Sequence, residues 1–203
     1  MKHDDAGLHV RGASHYVRDI PVPQGTLFAA LVPSPVAHGK IKRLDISAAA
    51  ARQGVVAALT ARDIPGANQI GNIIQDEPLL AAEEVDFAGQ PVALIVAASP
   101  AIARAACPLV VLDIEALPPL LDPREAFARG EIIGVPRTFA LGDVDGAWAH
   151  CHVVVHGRAD SGGQEHMYLE TQSALAVPRD DGGLKIFSAT QAPTAVQRTV
   201  ALA

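Results

Sequence analysis

Cysteine and aromatic residues are scarce in this chain of 203 residues: it has two cysteines, Cys107 and Cys151, and 4% Phe, Trp and Tyr together. Two cysteines cannot make the disulfide framework that a small secreted scaffold requires. So few rings exclude a core built on large aromatics. The N-terminus, MKHDDAGLHVRGASHY, lacks the apolar segment of a secretory signal. Long apolar runs are missing too: the longest, PVALIVAA at 91–98, is far short of the ~20 residues of a membrane-spanning helix. No basic run exists, and a net charge of −6 offers no electrostatic footprint for nucleic acid or an anionic membrane. The expectation is a cytoplasmic, soluble protein with neither partner.

Apolar residues make up 49% of the chain and charged residues 19%, which suits a packed core rather than wholesale disorder. Ala and Val carry that apolar weight, which implies close helix-on-sheet packing. At roughly 100–200 residues per domain, the length allows one or two domains.

Residues 1–16 read as a polar arm. Strands are predicted at 26–32 and 41–46, the second with apolar residues alternating along part of its length. Ser47 is expected to cap a short alanine-rich helix that Gly54 stops, followed by a strand at 55–59. Thr60-Ala-Arg-Asp63 reads as a capping box with Asp in place of Glu. A buried strand at 92–96 leads to Ser99-Pro100, an N-cap and first-turn pair, and a helix to about Ala106. A strand at 110–114 follows. Strands alternating with helices imply βαβ units, hence a mixed α/β (α+β) fold for 17–128. Prolines and turns near 117–123 and Pro136 mark a linker over 129–148. Beyond it, strands at 153–155, 173–177 and 184–188 suggest a second domain over 149–203, with 179–183 as a hairpin turn. The stretch 193–203 begins as a helix, with Pro193 in its first turn and Val196, Val200 and Ala203 on one face. It ends without a cap, and a piece of a longer protein is expected.

The densest polar stretch is SGGQEHMYLETQ at 161–172, either a solvated turn or the lining of a site for something polar. His150, His152 and His156 alternate along a predicted strand and so share a face. Zinc binding by such a His-x-His pair, with Cys151 or Glu165 added, is one reading. Cys151 has the opposite parity and no second ligand cluster is suitably spaced, which favours a solvated strand face. A Cys151 nucleophile lacks a base and an oxyanion hole on its own side, and Cys107 suits a small buried apolar position. Both cysteines read as structural. Gly162-Gly163 and Gly182-Gly183 lack phosphate-loop spacing. Glu165 and Glu170 read as structural hydrogen-bonding groups before acid–base catalysts.

GGQEHMYLETQ (162–172) and SATQAPTAVQ (188–197) resemble the large, molybdenum-binding subunit of the bacterial xanthine dehydrogenases, members of the molybdenum hydroxylase family. The likeness extends through YVRDIPVPQGTLFAALVPSPVAHGKI (16–41), GVVAALTARDIPGANQIG (54–71), DEPLL (76–80) and GQPVALIVA (89–97), which resemble its amino-terminal hammerhead domain. Aldehyde oxidases share the architecture, but DEPLL and SPVAHGKI are more similar to xanthine dehydrogenases. Arg18 departs from the acid usual there.

The resemblance implies a hammerhead-like α/β domain followed by the first strands of a molybdopterin-binding domain. It implies hydroxylation of xanthine or hypoxanthine with oxygen from water, on a molybdenum–molybdopterin cofactor. FAD and 2Fe-2S clusters are expected on a partner small subunit, in a dimer of heterodimers. Gln191 matches the family's glutamine that hydrogen-bonds an oxo group of molybdenum, and no residue here is expected to ligate the metal directly. No role follows for Gln164, Glu165 or His166. The family's GGGFGGKE-type loop, substrate-clamping arginine and general-base glutamate have no counterpart within these residues. An amino-terminal fragment is therefore expected, without catalytic residues or bound cofactor of its own. The alternatives are an aldehyde oxidase-type hydroxylase, a non-catalytic hammerhead that binds a partner subunit, and a small metal-binding protein using the histidines.

Overall fold

The computed structural model describes residues 5–71 and 73–203. Backbone contacts group the chain into two compact units, one of residues up to Pro119 joined by Leu169–Ala203, the other Leu120–Tyr168. The expected arm lies outside the described residues at 1–4. From Asp5 it is not all coil, since a short helix α1 (Ala6–His9) forms within it.

The first unit opens with β1 (Phe28–Pro33), β2 (Gly39–Asp45), α2 (Ser47–Ala50) and β3 (Val55–Thr60). It continues with β4 (Glu84–Val85), β5 (Pro91–Ala97), α3 (Pro100–Ala106) and β6 (Val111–Ala116). Consecutive strands go alternately to two three-stranded sheets, ordered β1-β5-β3 and β4-β2-β6. The mixed α/β class therefore holds, but the expected βαβ units are corrected: every pairing among the described residues is antiparallel. The reason is length. A parallel crossover needs about a dozen residues or more, whereas α2 has 4 residues and α3 has 7. These helices carry the chain from one sheet to the other.

The apolar run at 91–97 is the centre of the first sheet, paired on both sides. Val92, Ala93, Ile95 and Ala97 are fully buried, as are Ala49 of α2 and Ala103 and Ala106 of α3. Alanine on the helix side lets backbones approach closely, which accounts for a core with few rings. Each buried Val or Ile contributes roughly 1.5–3 kcal/mol. The broken alternation of β2 comes from a register shift between Ile41 and Arg43. That irregularity re-phases the strand, so Ile41 and Leu44, three apart, both pack on the core.

Short-range signals form as the sequence implies. Ser99 Oγ accepts from the Ile102 N–H at 3.3 Å, with Pro100 beginning α3. Thr60 and Asp63 form the capping box, the Thr60 N–H donating to Asp63 Oδ2 at 2.7 Å. Gly54 stops α2's turn at φ +86°, and a Cβ there would stand 2.8 Å from Ile102 Cδ1. Ser47 is a correction: it is the first residue of α2, and its hydroxyl donates to Asp45 Oδ1 rather than accepting from the helix. Asp45 also accepts the Ser47 N–H at 3.0 Å, and the cap position, Ile46, makes no side-chain bond to the helix.

Leu169–Ala203 supplies the hairpin β7 (Ala174–Pro178) and β8 (Leu184–Ser188), followed by α6 (Pro193–Leu202). The turn closes with Arg179 N–H to Gly183 O at 2.9 Å, and Gly182 takes φ +80°. The last carbonyls of α6 are not left open as expected: Gly66 N–H donates to Ala203 O at 2.7 Å and Ala67 N–H to Leu202 O at 2.6 Å.

Leu120–Tyr168 holds two helices that the sequence reading did not anticipate, α4 (Pro123–Arg129), at the end of the expected first domain, and α5 (Val144–Trp148), within the expected linker. Asp122 caps α4, with Pro123 in its first turn and Gly130 ending it at φ 77°. Asp143 caps α5. The strand expected at 153–155 is absent. Val153 and Val155 are 71% and 86% exposed, and β propensity without a partner strand or a packing surface does not make a strand.

Candidate functional site

Gln191 lies in the turn between β8 and α6. The turn is held on both sides. Ala189 N–H donates to Ser173 O at 2.9 Å, and Ala192 N–H donates to Thr190 Oγ1 at 3.0 Å. Between these anchors the Gln191 side chain is exposed and, among the described residues, has no hydrogen-bond partner. Its amide is free to donate. A groove of about 720 Å³ runs between the hairpin and α6, lined by Thr190, Thr194 and Gln197 but not by Gln191. On another face of α6 a second groove, about 710 Å³, is lined by Ala192, Ala195 and Arg198 with Gln69 and Gly71. An uncharged N–H donor on a pinned turn fits a cofactor that carries anionic oxygen.

Residues 161–169 are exposed and contain no helix or strand. Glu170 is half-buried, and its Oε1 accepts the Val17 N–H at 2.5 Å, the structural role read for it. Glu165 Oε1 accepts from Met167 N–H at 3.4 Å. Met167 takes φ 48°, a left-handed conformation uncommon outside glycine. His150, His152 and His156 lie on no strand, so the shared-face geometry is corrected, and among the described residues they form no metal-ligand group. Cys107 is half-buried, its Sγ donating to Ala103 O at 3.4 Å, and burial pushes its thiol pKa up. Cys151 is exposed rather than packed.

Sequence reading missed one constellation altogether. His38 Nε2 stands 2.8 Å from Glu84 Oε1, and Asp86 completes a group whose ligand atoms lie within 4.8 Å of one another. The hydrogen bond to Glu84 raises the His38 pKa from its ordinary value. Its one local signal is the pair of acids two residues apart, Glu84 in β4 and Asp86 just past its end. The histidine is 46 residues away in the chain.

The family model described as "Aldehyde oxidase and xanthine dehydrogenase, a/b hammerhead domain" matches residues 11–118. The model described as "Molybdopterin cofactor-binding domain" matches 128–203. Xanthine dehydrogenase of Oryza sativa subsp. japonica is 37% identical over 203 residues, 98% of this chain and 15% of that protein. Aldehyde oxidase 4 of Cavia porcellus is 38% identical over 201 residues, again 98% of this chain and 15% of that protein. The solved aldehyde oxidoreductase of Desulfovibrio gigas superposes with a TM-score of 0.79 at 32% identity, covering 92% of this chain and 23% of that one. The chain thus spans about 15% of the length of these curated relatives.

Proposed function

This chain belongs to the aldehyde oxidase and xanthine dehydrogenase family of molybdenum hydroxylases, and we propose that it serves as the hammerhead domain and first molybdopterin-domain elements of a purine-hydroxylating oxidoreductase. The carrying observation is that two consecutive family matches, hammerhead then cofactor-binding domain, run through one chain. The cofactor-binding match includes Gln191, whose amide is exposed and, among the described residues, without a hydrogen-bond partner. When bound, molybdenum–molybdopterin supplies the two-electron oxidation of an electron-poor carbon, with oxygen taken from water. Gln191 presents an uncharged N–H donor to that cofactor, which stabilises negative charge on its oxygens without adding charge. The Ser173 and Thr190 contacts hold the turn from which Gln191 projects, limiting the motion of that donor. The two parts have separate tasks in this reading. The alanine-packed sheets give a rigid support, and the hairpin with α6 carries the residue that meets the cofactor. Xanthine or hypoxanthine as substrate, an iron–sulfur and FAD small subunit as partner in a dimer of heterodimers, and a cytoplasmic place in purine breakdown all belong to this proposal.

Aldehyde oxidation is the second reading, favoured by identity to an aldehyde oxidase as high as that to a xanthine dehydrogenase. The enzyme that carries this segment, purified and analysed for molybdenum, separates the two when assayed with xanthine and with an aromatic aldehyde. The purine reading expects stoichiometric molybdenum and a kcat/KM for xanthine at least about tenfold higher, a difference of about 1.4 kcal/mol in transition-state binding. The reverse preference supports the aldehyde reading. Molybdenum at background level in the purified enzyme overturns both.

A further inference from the structure

We propose that His38, Glu84 and Asp86 form a binding site for one divalent transition-metal ion, of the zinc class, at the edge of the β4-β2-β6 sheet. The topology makes the site. In the antiparallel β2–β4 ladder Gly39 pairs with Val85 and Lys40 with Glu84. His38 and Asp86 each stand one residue beyond the end of that ladder, and Glu84 is the first residue of β4. The three ligand atoms lie within 4.8 Å of one another, and His38 Nε2 is already 2.8 Å from Glu84 Oε1. Four-coordinate zinc with bonds of 2.0–2.2 Å separates its ligand atoms by about 3.4 Å. Side chains with solvent beside them reach that spacing by small rotations, because His38 is half-buried and both acids are exposed.

The backbone under the ligands is fixed. Gln90, 2% exposed, accepts the Asp86 N–H at Oε1, 2.7 Å away. Ser34, also buried, ties the two ligand-bearing segments together: its N–H donates to Gln90 O and its O accepts from Gly89 N–H, each at 2.8 Å. On the other side Leu117 N–H donates to His38 O at 2.9 Å. His38 Nδ1 faces Pro118 O at 3.5 Å. The Nε2 proton now donated to Glu84 would leave on metal binding; a proton kept on Nδ1, directed at that carbonyl, then turns the Nε2 lone pair toward the ion, the arrangement by which metal-binding histidines are oriented. A protonated His38 is the cation that competes with the ion for the Glu84 carboxylate.

The donor set selects the ion. One imidazole with two carboxylates favours zinc, nickel or cobalt over calcium and magnesium, which take all-oxygen shells. Three protein ligands leave a fourth position for water. The ion would clip β4 to the start of β2, adding a cross-link in the folded state that the unfolded chain lacks.

The test is calorimetric titration of the purified chain with zinc chloride, with cobalt as a spectroscopic probe and a parallel thermal melt. The expected result is one zinc per chain, visible cobalt bands, and a melting temperature that climbs with zinc concentration. His38→Gln and Asp86→Asn should each weaken zinc binding at least tenfold, while His152→Gln leaves it unchanged. Metal-free melts of each variant show whether it remains folded. An unfolded single-site variant is replaced by Glu84→Gln, which must show the same loss. No saturable binding, or binding of undiminished affinity in folded His38→Gln, overturns the proposal. So does tighter binding of magnesium than of zinc.

Discussion

Replacing Gln90 by Leu probes the joint between the two sheets. The side chain is 2% exposed, and its Oε1 accepts the Asp86 N–H at 2.7 Å. Leucine keeps similar volume but offers no acceptor. The backbone bonds of residue 90, from Ser34 N–H and to Phe87 O, do not depend on the side chain and remain. The loss is therefore one hydrogen bond and one orphaned N–H. Leaving such a group unsatisfied costs about 1–3 kcal/mol. Asp86 is itself exposed, so water reaches part of that donor, and burying leucine in place of an amide returns some stability. Both considerations place the net destabilisation at about 1–2 kcal/mol. For a protein of this size that lowers the melting temperature by about 2–8 °C. Urea unfolding followed by circular dichroism should show a lower midpoint with an unchanged slope. Equal midpoints for Gln90→Leu and the parent would refute the reasoning, because they would mean that the buried amide does no structural work.

Ser99→Ala removes the α3 cap. Its hydrogen bond is long, 3.3 Å, which places the loss in the lower half of the usual range of about 0.5–2 kcal/mol, and unchanged chemical denaturation would show the cap to be idle. Gly54→Ala puts a Cβ at φ +86° and 2.8 Å from Ile102 Cδ1. A destabilisation of about 1–3 kcal/mol is expected in a thermal melt, and an unshifted melting temperature contradicts it. Asp45 gives a pH signature. Hydrogen bonds from the Ser47 hydroxyl and N–H, then from Arg43, lower its pKa to about 2 from an ordinary 3.8. A carboxylate depressed on folding contributes stability above its unfolded pKa and loses that contribution as pH falls through the folded value. Asp45→Asn should therefore destabilise the chain at neutral pH and flatten the fall in stability between pH 4 and about 2. Parallel pH–stability curves for the two proteins would argue against this.

The features legible in the sequence were those whose physics is local. Ser99-Pro100, Thr60 with Asp63, and the 179–183 turn each encode their geometry within a few residues, and the apolar run at 91–97 announces a strand covered on both faces. Pairing partners are not local. Nothing in β1 or β3 states that β5 will sit between them, so alternating strands and helices suggested parallel units where the chain instead moves between sheets. The valines at 153–155 carry strand propensity without a ladder to join. Asp122-Pro123 and Gly130 were readable helix signals, obscured by the prolines around them. Gln191 was visible only through resemblance, because one glutamine in a turn carries no pattern of its own. The His38 cluster was invisible because it forms across a ladder between distant segments.

The most direct test of the central claim, that this segment places Gln191 at the molybdenum cofactor, is turnover of the cofactor-replete enzyme carrying Gln191→Ala. Molybdenum and pterin content should equal that of the parent enzyme, with kcat lowered about 10–100-fold, as losses of a metal's supporting hydrogen bonds commonly give. Parent-level turnover in the folded, fully loaded Gln191→Ala enzyme would contradict it.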